Sequence, residues 1–317
     1  MSIVVSAPGK IHLLGEHAVV YGKSALLAAI NRRLYIRIQE KKTERIEIKT
    51  GGRKKLVIHS IDIFKKAFSI KNLPPLEISI TSQIPIGCGL GSSAAVSAAT
   101  IGGLMKFVKN IWNPGKINEL AYEAEKITHG NPSGADNTAV VFGGLLWYRR
   151  EFDFLQSIWS LPISSYKIPQ FLIIDTGRPQ ESTRQMVSHV AALYSKKKNR
   201  MEEVFSSQEV QTKRLLISLR NNNNEELKDA IYLGEKNLEK MEVVGDFAKE
   251  IIREIEKSGG VAKVCGAGGR NGGSGILLVF HENLTKVEEI GRKYNLSVSP
   301  VVLGEEGIRI ENNPINK

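Results

Sequence analysis

The chain has 317 residues, 42% of them hydrophobic and 24% charged, and 44 Lys and Arg against 33 Asp and Glu give it a formal charge of +11. Two cysteines exclude a disulfide framework, and the lack of an apolar run of about 18 residues argues against a membrane-spanning helix; a cytoplasmic globular protein of one large or two smaller domains is expected. The basic residues form short clusters (Arg53-Lys54-Lys55, Lys65-Lys66, Lys196-Lys197-Lys198) without interleaved aromatics, which points to general attraction for anionic ligands and away from specific nucleic-acid recognition.

In chain order, the opening SIVVSAPGKIHLLGEHAVV predicts an apolar strand, a Pro-Gly turn and a second apolar strand, with no basic-then-apolar leader before it. LYIRIQ, RIEIKT and KLVIHS, between residues 34 and 60, alternate as antiparallel strands do, and LEISITS alternates again after Pro74-Pro75. PIGCGLGSSAA then leads into the alanine-rich helical stretch VSAATIGGLM. Asn113-Pro114 supplies a cap and a first-turn proline for a helix whose apolar face is Ile117, Leu120, Ala121, Ala124 and Ile127, with Glu125 on its edge. The loop HGNPSGADNT follows.

Residues 160–170 read as a linker, and FLIIDTG restarts the chain as a buried strand. Ser182 and Gln185 form a capping box for STRQMVSHVAALY. Polar helices over about 201–220 and 224–240 precede VGDFAKEIIREIEKSGG, which ends at Gly259. The chain closes with VAKVCGAGG, SGILLVF, LSVSPVVL and GIRIE, and its abundant Lys, Glu and Ile match heat-adapted composition.

A glycine-rich turn that opens a helix presents backbone N–H groups in a concave array at the positive end of the helix dipole. Such a nest binds phosphate without a side-chain cation. In Pro85–Ala95 the glycines permit close backbone approach, and Ser92 and Ser93 put hydroxyls where a phosphate or Mg²⁺ would sit. The stretch is uncharged, as expected if a bulky charge would obstruct the amides; tight helix packing would use the same residues. Walker A fails because His17 occupies its first glycine position in GEHAVVYGKS, and GxGxxG fails because Gly87-Cys88-Gly89-Leu90-Gly91 runs into serines. Asp175-Thr176-Gly177 spells an aspartic-protease triplet, once and without the rest of that pattern.

APGKIHLLGEHAVVYG gathers Lys10, His12, Glu16 and His17. Lys10 could steady a transferring phosphoryl group or hold a substrate hydroxyl near deprotonation, or lie on a surface turn. EAEKITHGNPSGADNT holds Glu125 and Asp136. One carboxylate beside a substrate hydroxyl can accept its proton and another can bind Mg²⁺ through oxygen; local turn hydrogen bonding is the plainer use of the Asp.

Taken together, Pro8-Gly9-Lys10 with GEHAVVYG, PIGCGLGSSAA, HGNPSGADN and a late GAGG loop resemble the GHMP small-molecule kinases in the same order, from Ala7 to about Gly275. The middle two motifs are highly specific. The resemblance implies an α+β fold of two lobes: an N-terminal, ATP-binding lobe with a mixed sheet over 1–165 and a C-terminal ferredoxin-like lobe over 166–317, with the active site in the cleft. It implies ATP- and Mg²⁺-dependent phosphorylation of the primary hydroxyl of mevalonate to 5-phosphomevalonate, a step of isoprenoid precursor synthesis.

Carried over by residue, Asp136 corresponds to the family's catalytic aspartate and Lys10 to the lysine that contacts it. Glu125 and Ser93 correspond to Mg²⁺ ligands, and Pro85, Ile86, Gly87, Cys88, Gly89, Leu90, Gly91, Ser92, Ser93, Ala94 and Ala95 to the ATP phosphate loop. Glu16 and His17 form the substrate-side block with Lys10 and Asp136, and Thr183 is a further candidate contact. The late motif departs from the usual glycine run at Arg270-Asn271, leaving open whether Arg270 reaches a phosphate or extends a surface loop. Cys88 and Cys265 are expected to be small packing residues.

Galactokinases place a polar Thr-Asp after Gly-Glu-His, whereas this chain offers Ala18-Val19-Val20, an apolar wall suited to a branched acid bearing a methyl group. Phosphomevalonate is the rival acceptor, since extra basic residues would favour a phosphorylated substrate. A non-catalytic nucleotide or polyanion binder on the same fold is the reading from a different class, and a homodimer is left open.

Overall fold

The computed structural model describes residues 2–42, 46–129, 132–152 and 154–312, with the side chains of 127–129 left aside. β1 (Ser2–Leu14) runs unbroken through Pro8 and Gly9. The expected Pro-Gly turn is instead a shift of register between those residues where β1 pairs antiparallel with β2 (Ser24–Glu40). A bulge accommodates proline's missing N–H without ending the strand.

β3 (Glu47–Lys49) is followed by α1 (Lys54–Ala67), which contains KLVIHS and so corrects the strand expected there. Val57, Ser60, Ile61 and Phe64 are buried at i, i+3, i+4 and i+7, a helical period that the shorter apparent alternation concealed. β4 (Leu76–Ser82) pairs antiparallel with β2 but parallel with β3, so β3–α1–β4 is a βαβ unit where a purely antiparallel series was expected.

α2 (Ser92–Lys109) is buried from Ala94 through Met105, and its small residues let strands and helices close on every side. α3 (Pro114–His129) starts as read: Lys116 N donates to Asn113 Oδ1 at 3.0 Å, and Ile117, Leu120, Ala121 and Ala124 are buried. α4 (Ala135–Phe142) leads into the hairpin β5 (Leu145–Phe152) and β6 (Leu155–Leu161), which extends the first sheet from β2. Gly130 and Asn131 of the loop before α4, and the side chain of Ile127, lie outside the described residues.

The second lobe begins with β7 (Phe171–Asp175) and continues through α5 (Thr183–Lys196), α6 (Lys198–Asn221), α7 (Asn224–Lys240) and α8 (Asp246–Lys257). β8 (Val261–Val264), β9 (Ile276–Phe280), α9 (Leu284–Lys293) and β10 (Val298–Val301) complete it. Its sheet has the order β10-β7-β9-β8 with antiparallel pairs throughout, the ferredoxin-like pattern. Period-two alternation divides β7: Phe171 and Ile173 enter the core shared with the first lobe, while Leu172 and Ile174 pack under the helices.

The Ser182–Gln185 capping box forms as read. Asn222 is the left-handed cap closing α6 and Asn223 caps α7, so the asparagine run is a helix–helix joint. The tail recrosses to the first sheet, where β11 (Arg309–Ile310) pairs with β1. Buried Arg33 clamps it there, donating to the Glu306 and Gly307 carbonyls at 2.7 Å each. No helix among the described residues is long and apolar enough to cross a membrane.

Candidate functional site

The glycine loop before α2 folds as an open nest. Gly87, Gly89 and Gly91 all have φ between 74° and 87°, and Gly91 caps α2, whose first residues are Ser92 and Ser93. Lys10 N donates to Leu90 O at 3.1 Å, fastening the loop to β1. A Cβ on Gly91 would lie 2.6 Å from Lys10 Cγ, so the missing side chain is what lets the Lys10 stem pass beneath the loop.

Lys10 emerges at Asp136, its Nζ 2.9 Å from Oδ1. His12, two residues further along the same face of β1, puts Nε2 3.0 Å from the same oxygen. Both contacts fall on Oδ1 and leave Oδ2 unengaged by them. Asp136 sits in the first turn of α4, where a carboxylate is favoured by the helix dipole. Burial alone would raise its carboxyl, but Lys10 and His12 outweigh burial and hold it well below the carboxylate range. Burial and the Lys10 charge lower His12, so neutral His12 donates through Nε2 to an ionised carboxylate that can only accept.

Lys10, Asp136, Gly87, Gly89–Ala94, Glu125, Ser133, Glu16 and His17 line one cavity of about 160 Å³. His12 and Pro132, Thr183 and Val187 of α5, Gly266 and Ala267 of the late glycine loop, and Val19 and Val20 complete its walls. Of the expected apolar wall, Val19 and Val20 face the cavity, whereas Ala18 is buried in the second core. Pro85, Ile86, Cys88 and Ala95 are outside the lining: Ile86 is exposed, and Cys88 and Ala95 belong to the core.

Glu125 is 4% exposed, and no described residue forms an ion pair with it. Burial, with the neighbouring Asp136 charge, pushes it up to about 8. No cluster of three or more His, Cys, Asp or Glu that would hold a metal occurs among the described residues. A buried carboxyl whose desolvation the nearby Lys10 only partly offsets, in the same cavity as the Ser93 hydroxyl, fits Mg²⁺, which would favour its ionised form and which takes few protein oxygens, completing its shell with phosphate and water.

His17 has φ 56°, ψ −49°, a conformation uncommon outside glycine, and its Nε2 meets the Ala267 carbonyl at 3.1 Å across the lobes. Glu16 is 2% exposed and paired with Lys263 of β8, which is wholly buried. Sequence reasoning missed Lys263 and left His12 without a role. The available signals were a lysine inside the apolar VAKV strand and a histidine two places after Lys10.

Arg270 is exposed and outside the cavity; its backbone N–H donates to Glu181 Oε2 at 3.2 Å, and Asn271 binds the same carboxylate. The interruption thus extends a loop clamped to the β7–α5 connection. Cys88 and Cys265 are free and buried, and burial pushes both thiols up to about 11, in keeping with packing roles. The Asp175-Thr176-Gly177 triplet is also structural: Thr176 Oγ1 donates to the Gly275 carbonyl at 2.7 Å.

Residues 55–144 match the family model for the GHMP kinases N terminal domain, and residues 1–40 match the galactokinase galactose-binding signature. A mevalonate kinase of Archaeoglobus fulgidus is 33% identical, the alignment covering 84% of this chain and 89% of that protein. One from Thermococcus sibiricus is 30% identical over 98% of this chain and 99% of its own. The crystal structure of L. major mevalonate kinase in complex with R-mevalonate superposes with a TM-score of 0.80 at 19% identity, covering 95% of this chain and 96% of that one, and shows the same fold.

Proposed function

The chain belongs to the GHMP kinase family, and from that premise we propose that it transfers the γ-phosphoryl group of ATP to the primary hydroxyl of mevalonate. The observation that carries this reading is the meeting, in one cavity, of the glycine–serine nest with Asp136 and Lys10.

In the mechanism, the amides of the loop and the start of α2 hold the polyphosphate, their aligned dipoles taking the place of a side-chain cation. The acceptor hydroxyl donates to the Asp136 oxygen that Lys10 and His12 leave open, and this aims it in line with the γ-phosphorus. A carboxyl held so far below its ordinary range is a weak base, so Asp136 orients the hydroxyl early and takes the proton late. That order suits the loose transition state of phosphoryl transfer, in which the attacking oxygen bonds late. Lys10 stabilises charge on the transferred group while keeping Asp136 ionised. Glu125 and Ser93 would hold Mg²⁺, which when bound neutralises phosphate charge and orients the polyphosphate.

Val19 and Val20 give the acceptor an apolar wall, which favours a methyl-bearing acid over a sugar. Among the described lining residues Lys10 is the only Lys or Arg, and it is already paired. No other Lys or Arg among the described lining residues is free to meet a second phosphate, and mevalonate is favoured over phosphomevalonate on that ground. The test is ADP release by the purified protein with MgATP and mevalonate, phosphomevalonate, galactose or homoserine. Mevalonate should give the highest kcat/KM by at least about tenfold, the scale set by one well-used pocket contact; preference for any other acceptor would overturn the assignment.

A further inference from the structure

From Glu16 in the cavity wall a buried charge cluster runs inward to Lys263 and Glu235, and the mechanism above does not use it. Lys263 is 0% exposed, and its Nζ donates to the His12 carbonyl at 3.0 Å and to Glu16 Oε1. The contact to His12 falls where the β1–β2 register shifts, between His12 and Leu14. On the far side, Glu235 of α7 accepts from Val264 N at 2.9 Å, next to Lys263 in β8. Lys263 therefore reaches from the second lobe to the end of β1 that carries Lys10 and His12.

An ammonium in such a place has a large desolvation penalty, and an apolar side chain of the same volume would often be no less stable. Its reach suggests a reason for its presence. We propose that Lys263 is a positioning residue for phosphoryl transfer, holding the His12 carbonyl and Glu16 so that Lys10 and His12 meet Asp136 at the distances observed. It touches neither substrate nor nucleotide and acts through β1. Displacing a catalytic group by about 1 Å can lower a rate by about 10²-fold, which is the size of effect a support of this kind can have. The inference rests on the phosphotransferase reading of the site.

The test compares Lys263→Met, Glu16→Gln and the double variant with the wild type, in kcat, KM for ATP and binding of a non-hydrolysable ATP analogue. Lys263→Met is expected to lower kcat by about 10²-fold while KM for ATP and analogue affinity stay within about twofold. Should that variant fail to fold with an unpaired Glu16, the double variant removes both charges and keeps the question answerable. Its kcat is expected at least about tenfold below that of Glu16→Gln, because only the double variant has also lost the hold on the His12 carbonyl. A folded Lys263→Met with kcat within threefold of wild type overturns the inference, as does a loss of kcat matched by loss of analogue affinity. Equal kcat in the double variant and Glu16→Gln also overturns it. A wild type active on a different alcohol refutes only the acceptor assignment, and the comparison is then made on that alcohol. A wild type inactive on every acceptor refutes the functional reading and this inference with it.

Discussion

A Cβ placed on Gly89 would lie 2.4 Å from the carbonyl oxygen of Cys265. The phosphate loop of one lobe and the late glycine loop of the other thus touch backbone to backbone, and Ile276 N adds a bond to Cys88 O at 3.2 Å. Gly89 also has φ 87°, where any side chain is strained by about 1–3 kcal/mol. Gly89→Ala should push the loops apart, raise KM for ATP by about tenfold or more and lower thermal stability by an amount in that range. Steady-state kinetics with a melting curve checks both; an unchanged KM for ATP would show that the nest does not depend on this contact.

Asp136 organises the other side of the cavity. Asp136→Asn preserves its shape but removes the charge that Lys10 faces at 2.9 Å. Turnover should fall by about 10²–10⁴-fold, while affinity for an ATP analogue changes little, since the loop amides hold the polyphosphate. Rapid-quench measurement of the chemical step separates the two quantities. A variant with near-normal turnover would remove Asp136 from the mechanism.

How much of this was legible in the sequence depended on how local the physics is. The capping box at Ser182, the capped start of α3 and the glycine–serine nest are set by neighbours within a few residues, and each stands where the sequence indicated. KLVIHS misled because six residues can fit either period, and Ile61 and Phe64 beyond them are needed to complete the helical face of α1. Pro8-Gly9 resembles a turn locally, but pairing with β2 carries the strand through it. Lys263 stood out only as a lysine inside the apolar VAKV strand, and its role becomes readable once Glu16, far away in sequence, is folded against it.

Val20 lines the cavity, on the wall proposed above for the acceptor. Val20→Ser replaces part of an apolar wall with a hydroxyl and should raise KM for mevalonate by about 10-fold, the cost of one or two methyl-sized contacts, without altering KM for ATP. Measuring both constants in one series distinguishes an acceptor wall from a general disturbance, which would move the two together.

Stability against pH offers a test that needs no substrate. Glu235 is 0% exposed, its Oε1 has no hydrogen-bond partner, and burial pushes its carboxyl up to about 8, above its ordinary value in the unfolded chain. Between the unfolded and folded values the native state binds the extra proton, so this group's contribution is fully present at low pH and is lost as pH rises towards about 8. The slope is at most about 1.4 kcal/mol per pH unit for one proton. Glu125 acts in the same direction, being raised to about 8. Buried His12 and His17 act oppositely: both are lowered by burial, so their contribution grows as pH rises and is complete above the ordinary histidine range. From about pH 7 to 8 the histidines drop out and the unfolded Cys88 and Cys265 thiols only begin to titrate, so the differences between variants and wild type in that window report the two carboxyls. Unfolding free energy by denaturant titration should fall across that window in the wild type, less in Glu235→Gln or Glu125→Gln, and least in the double variant. The amide retains an oxygen for Val264 N, so Glu235→Gln should fold. Parallel lines for all four proteins would mean that neither carboxyl carries a proton at neutral pH.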